Sequence, residues 1–276
     1  MADTDAQRQR SLTDKVALVT GAGRGLGRAF AEHLAGLGCA VGIHGMREEG
    51  PAEYGEGTTL TATAEAIGAE FDVPTKRLLG DLTDRQQTEN VFAELMAALG
   101  PIDILVHNAG GDIAARGGKP DPNDCVAIKE EDVRAVLDRN LLSTIFVCQF
   151  AAQQMMPRRS GSIITISSIA AFQGRGQSAI YATAKAAVVH YTRCLADQLR
   201  AYDIGVNSIA PGETRTGRFL GTREVDQERM VEGGTLDRIG GVDEVARLVE
   251  VFATPIGGFV SGQVLRADGG SQCWPG

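Results

Sequence analysis

Short apolar runs alternate with longer stretches of helical spacing along most of this chain. The runs predict strands at 16–20, 40–44, 76–80, 102–107, 162–167, 205–210 and 263–267. Between them, apolar residues recurring every three or four positions predict helices at 26–37, 59–67, 84–98, 131–155, 179–201 and 242–252. Strands that are apolar throughout must be covered on both sides. The alternation therefore predicts an α/β domain, a doubly wound seven-stranded parallel sheet with helices on both faces. Thr83-x-x-Gln86 reads as a capping box before the third helix. The first residues lack any such pattern, so 1–13 is expected to be a mobile polar tail ahead of one domain at 14–276. Three segments escape both periods: 45–57, rich in Gly and Glu; 111–127, with Gly117-Gly118-Lys119-Pro120; and 212–240, long and charged. All follow predicted strands, where loops build pockets. For 111–127 the readings are a substrate loop or an oligomer contact.

Composition narrows the picture. The 276 residues suit one large α/β domain. The 35 glycines are nearly double the roughly 7% of an average chain, and many fall at strand ends where backbone would approach a ligand. A net charge of -8 argues against nonspecific nucleic-acid binding, which needs an excess of Lys and Arg. Five scattered cysteines without C-x-x-C spacing fit reduced thiols and a cytoplasmic location. The polar start is no secretory signal, and no apolar run is long enough to span a bilayer, so no membrane association is expected. Neither His33, His44 nor His190 belongs to a metal-ligand cluster, so no metal is expected.

Two places carry candidate chemistry. Val16-Ala-Leu-Val-Thr20 runs into Gly21-Ala-Gly23-Arg24-Gly25-Leu26-Gly27 and then a helix. Strand, glycine turn and helix in that order suit a dinucleotide: glycines admit the pyrophosphate, and the helix start offers free N–H groups. The second is Tyr181-x-x-x-Lys185, which a helix would place on one face. A phenol titrates near pH 10, and a neighbouring ammonium is expected to lower that value into a useful range for acid–base work. Ser167 and Ser168 end an apolar strand upstream; one is expected to meet the same substrate oxygen and the other to cap a turn.

With these motifs the chain resembles the short-chain dehydrogenase/reductase family. Thr20-Gly21-x-x-x-Gly25-x-Gly27 fits its cofactor fingerprint, and His107-Asn108-Ala109-Gly110 its Asn-Asn-Ala-Gly element with His in first place. Asn140, Ser168, Tyr181 and Lys185 fit its tetrad, while Pro211-Gly212 and Asp268-Gly269-Gly270 fit later landmarks. Within the family it looks most like the 3-oxoacyl-carrier-protein reductase type and related ketone reductases. The resemblance implies a Rossmann fold, an NAD(P) cofactor, a ketone or secondary alcohol substrate and a homotetramer. It makes Tyr181 the general acid/base, Ser168 the holder of the substrate oxygen and Asn140 the holder of a water behind Lys185. Implied cofactor contacts are Gly21, Arg24, Gly25, Leu26, Gly27, Arg47, Asp81, Leu82, Asn108, Ala109, Gly110, Tyr181, Lys185, Pro211, Gly212 and Thr214.

Cofactor choice stays open between NADP and NAD, with a lean to NADP. The second strand ends without an acid, and Arg47 or Arg24 could pair with a 2′-phosphate. Glu48, Glu49, Glu53 and Glu56 follow closely and could repel it or replace the missing acid. An acidic carrier protein would need a basic entrance, for which Arg134, Arg139, Arg158 and Arg159 are the candidates. A catalytically idle nucleotide-binding scaffold is the alternative to an enzyme, though such a protein would not need Tyr181 and Lys185 together. Trp274 is a candidate anchor for a neighbouring subunit.

Overall fold

A computed structural model describes residues 10–273. Seven parallel strands form one sheet in the order β3-β2-β1-β4-β5-β6-β7: β1 Val16–Thr20, β2 Ala40–Gly45, β3 Thr75–Leu79, β4 Ile104–His107, β5 Gly161–Ile166, β6 Ile204–Pro211 and β7 Val264–Ala267. The helices are α1 Gly25–Gly36, α2 Leu60–Phe71, α3 Arg85–Leu99, α4 Glu130–Leu137, α5 Ser143–Met155, α6 Ala179–Leu199, α7 Gly217–Gly221 and α8 Val242–Ala253. The strand order reverses between β1 and β4, which opens a crevice at their carboxyl ends.

Each face of the sheet has its own core. On one, Phe30 and Leu34 of α1 pack with Ile67, Val245, Val249 and Phe252. On the other, Phe92 and Leu95 of α3 meet Val147, Met155, Leu195 and Leu199. Burial on both faces is why the strands read as continuous apolar runs.

Four local expectations change. The helix expected over 131–155 is two, α4 and α5, joined by a π-helical turn, Asp138–Leu142, with Asn140 at its centre. The cap of α3 is Asp84, whose carboxylate accepts from Gln86 and Gln87 N–H, so Thr83 is not the capping residue. Leu12, inside the expected tail, is buried and its N–H donates to Leu37 O. The segment 212–240 is not wholly irregular, since it contains α7. Trp274 lies outside the described residues. No helix among them is long and apolar enough to cross a membrane.

Candidate active site

The crevice opens into a cavity of about 1060 Å³ that runs from the glycine loop to the substrate loops. At its glycine end, β1 stops at Thr20, whose hydroxyl accepts the N–H groups of Asn108 and Ala109, 3.0 Å each, and meets His107 Nδ1 at 3.0 Å. Asn108 Nδ2 donates to Gly21 O at 3.2 Å. This network locks the ends of β1 and β4 together at the strand reversal. His44 lies beneath it, with Nδ1 3.4 Å from Gly21 N and Nε2 3.0 Å from Gly80 O. Burial pulls His44 down to about 4 and His107 to about 3, so both are neutral packing residues at ordinary pH.

Gly21, Arg24, Gly25 and Leu26 line the cavity, as do Asn108, Ala109, Gly110, Pro211, Gly212 and Thr214. Gly27, Arg47, Asp81 and Leu82 do not. Gly27 has a packing reason instead: a side chain there would overlap the Gly21 carbonyl, so its absence lets α1 sit directly on the loop. Leu82 belongs to the core under α3. Asp81 makes a turn, its Oδ1 accepting from the N–H and hydroxyl of Thr83.

The loop's fitness for an anion is visible in the chain's own contacts. The Glu56 carboxylate accepts from Gly25 N at 2.6 Å and, through its other oxygen, from Gly217 N at 2.7 Å. It stands in for the oxygens that a pyrophosphate would bring to the start of α1. The sequence offers Glu56 only as one of four acids after β2, since a contact across 31 residues with the glycine loop leaves no periodic trace. Nearby, Glu53 Oε2 is shared by Arg24 at 3.0 Å and Arg47 at 2.9 Å, and Arg24 stacks over Tyr54. The two arginines considered for a 2′-phosphate are therefore both paired.

At the other end, α6 presents Tyr181 and Lys185 to the cavity, with Ser168 beside them on the loop after β5. Lys185 Nζ lies 5.8 Å from the centre of the Tyr181 ring and donates to Ile166 O at 2.8 Å. The two serines do not divide between substrate and turn: both line the cavity, Ser167 is buried and donates to Lys185 O, and Ser168 itself caps the turn Ile169–Phe172. Burial holds the Lys185 ammonium down at about 8. The expected lowering of Tyr181 by Lys185 is corrected. Burial raises the phenol above its ordinary value, and the groups pulling it back are the Ser168 hydrogen bond, then Arg218 and Arg223.

Asn140 is wholly buried. Its Oδ1 accepts from Gly111 N at 2.9 Å, and its Nδ2 donates to Gly111 O at 3.0 Å and Val136 O at 2.8 Å. The resemblance gives Asn140 a water to hold; in the structure its carboxamide pins the backbone after β4. A Cβ on Gly110 would lie 2.7 Å from Asn140 Oδ1, so that glycine is required by the close approach. A π-turn at this point turns the amide inward. Of the four arginines considered for a basic entrance, Arg134 pairs with Glu130 and Arg158 with Asp103, while Arg139 donates to Ile113 O and Arg159 to Ala201 O.

Known proteins match this arrangement. Residues 15–226 fit the short chain dehydrogenase family profile. Cyclohexanol dehydrogenase of Rhodococcus sp. (strain TK6) is 33% identical, with 94% of this chain and 96% of that protein covered. The 3-oxoacyl-[acyl-carrier-protein] reductase of Escherichia coli (strain K12) is 32% identical, over 93% of this chain and 96% of the relative. A 7α-hydroxysteroid dehydrogenase, solved with NADH and 7-oxo glycochenodeoxycholic acid, superposes with a TM-score of 0.80 at 27% identity, covering 96% of each chain. The chain belongs to the short-chain dehydrogenase/reductase family.

Proposed function

We propose that this protein transfers a hydride between an NADP nicotinamide and a ketone or secondary alcohol, with Tyr181 moving the proton. The carrying observation is the convergence of Tyr181, Ser168 and Lys185 on the cavity that the glycine loop also lines. The bound nicotinamide supplies or accepts the hydride. Ser168 holds the substrate oxygen against the Tyr181 hydroxyl, which donates its proton in reduction and withdraws one in oxidation. Lys185 keeps its positive charge at neutral pH with Nζ on Ile166 O, while Ser168, Arg218 and Arg223 are the groups that favour phenolate as the proton leaves. Asn140 is a positioning residue that fixes Gly111. Names of relatives support the substrate class: one is a cyclohexanol dehydrogenase, another a 3-oxoacyl-[acyl-carrier-protein] reductase.

The dinucleotide would lie along Gly21–Leu26 with its pyrophosphate at the start of α1, displacing Glu56, and would continue past Asn108–Gly110 toward Gly212 and Thr214. For NADP, the 2′-phosphate would replace Glu53 between Arg24 and Arg47. That exchange is reasonable because exposed carboxylate pairs are weak, whereas a phosphate carries more charge and more acceptors. Parallel fluorescence titration with NADPH and NADH tests it: tighter NADPH binding is expected, and tighter NADH binding would assign the ribose to Glu53. We further propose a homotetramer in the cytoplasm. Ile256, Phe259 and Val260, just before β7, are exposed and suit a subunit contact. Light scattering that finds only monomer would remove this part.

Tyr181→Phe tests the chemistry. The variant is expected to bind cofactor normally and lose turnover of a ketone panel; undiminished turnover would overturn the assignment.

A further inference from the structure

The two substrate loops touch each other. Lys119 Nζ, in 111–127, donates to Thr222 O after α7 at 3.2 Å, and Arg218 Nη2 of α7 donates to Asp112 O at 2.9 Å. Arg218 fills the space over Gly111, where a side chain would collide with its guanidinium. The segments together make one wall of the cavity in front of Tyr181.

That wall carries three cations, Lys119, Arg218 and Arg223, and among the described residues none of them pairs with a carboxylate. Lys119 and Arg218 bond only backbone carbonyls, and Arg223 lies over the Phe219 ring at 4.5 Å. A nearby acid, Asp112, accepts at Oδ2 from Asn123 Nδ2 at 2.7 Å and from Ser178 Oγ at 2.8 Å, and its buried Oδ1 has no hydrogen-bond partner among the described residues. Two other cations on the same cavity do meet acids: Arg229 pairs with Glu213, and Arg238 with Glu244. The three charges also oppose one another: burial and Arg223 depress Lys119, Asp112 pulls it back, and Arg218 depresses it further. Crowding three cations beside a single acid costs free energy unless a ligand supplies further negative charge.

Resting on the reading of this site as a ketone/alcohol oxidoreductase, we infer that the substrate is an anion, whose carboxylate or phosphate Lys119, Arg218 and Arg223 hold while its reacting carbon faces Tyr181. Guanidinium forks and a mobile ammonium suit either oxyanion. The cofactor's pyrophosphate is not the missing partner, because its place is at Gly25 N–H, where the Glu56 carboxylate now stands. On this reading the segment 111–127 is a substrate wall.

Matched ketones test it: acetoacetate against methyl acetoacetate, and dihydroxyacetone phosphate against dihydroxyacetone. The wild type is expected to favour at least one anionic member by about tenfold or more in kcat/KM, and which member shows whether carboxylate or phosphate is read. In the double variant Lys119→Gln/Arg223→Gln, two exposed positions whose exchange spares the core, the preference is expected to collapse to about twofold through KM. Its cofactor Kd is expected to stay at the wild-type value. Equal use of anionic and neutral members, or a preference that survives in the variant, overturns the inference. Calorimetry of the same anions on cofactor-saturated protein separates the two claims. Binding that the double variant loses, without turnover of any ketone, would uphold the anion site and sink the redox reading. No binding of either anion would overturn the anion site.

Discussion

The two ends of the cavity treat charge in opposite ways. At the glycine end every nearby cation has an acid: Arg24 and Arg47 share Glu53, Arg28 pairs with Glu32, and Glu56 occupies the N–H groups at the start of α1. At the substrate end Lys119, Arg218 and Arg223 face the cavity without carboxylate partners. The glycine end is self-satisfied, so a cofactor must compete with internal carboxylates there. The substrate end is unsatisfied and is completed by what it binds. Affinity at the first end is set by an exchange of anions, and selectivity at the second by a charge that only the ligand can bring.

Between the two ends lies the proton chemistry, and removing it should leave both ends intact. Tyr181→Phe is expected to lower turnover by about 10²–10⁴-fold. Fluorescence titration and calorimetry on that variant are expected to give wild-type cofactor and anion binding. Loss of either would mean the tyrosine is structural.

Lys185 gives the next largest effect. Burial holds it at about 8 in the fold, against an ordinary value of 10.5. Between these values the unfolded chain binds a proton that the folded chain does not, so stability rises with pH across that window. Below about 8 both states are protonated and the full penalty of the buried charge remains. Wild type is therefore expected to gain about 2 kcal/mol between pH 8 and 10 relative to Lys185→Met, read by denaturant unfolding. A parallel pH dependence in both proteins would contradict the assignment.

At the seam, Asn140→Ala would leave Gly111 N–H and two carbonyls without partners. A loss of about 1–3 kcal/mol is expected in unfolding experiments. Since Gly111 lies under Arg218, the same variant is expected to weaken anion preference more than cofactor binding.

The smallest effect sharpens the comparison most. Glu56→Gln removes the internal anion from the glycine end and is expected to tighten cofactor binding by about three- to tenfold. It is expected to leave anion selectivity at the far end unchanged. Weaker cofactor binding would mean that Glu56 helps to build the site rather than competing for it.

What sequence could disclose follows the range of each interaction. Strand and helix identity came from local periodicity, and Gly21–Gly25, Ser168, Tyr181 and Lys185 came from short motifs in the right element. The π-turn was invisible because Asp138–Leu142 keeps the apolar spacing of the helices around it. The pairing of Arg24 and Arg47 with Glu53 depends on how 45–57 folds back, which its composition does not encode. The source of charge at Tyr181 was misjudged for a similar reason. Lys185 is four residues away and obvious, whereas Arg218 and Arg223 reach the phenol only through the folding of 212–240. The touch between Lys119 and Thr222 joins segments 103 residues apart, so the unmatched cations could not be grouped beforehand.

The most direct measurement is of the hydride itself. Wild-type protein would be incubated with NADPH deuterated on the transferable position of its nicotinamide and with the ketone panel, and the alcohols examined by mass spectrometry. Deuterium on the carbinol carbon of an anionic member, absent with Tyr181→Phe, is the predicted result. Cofactor binding without any labelled alcohol would contradict the account.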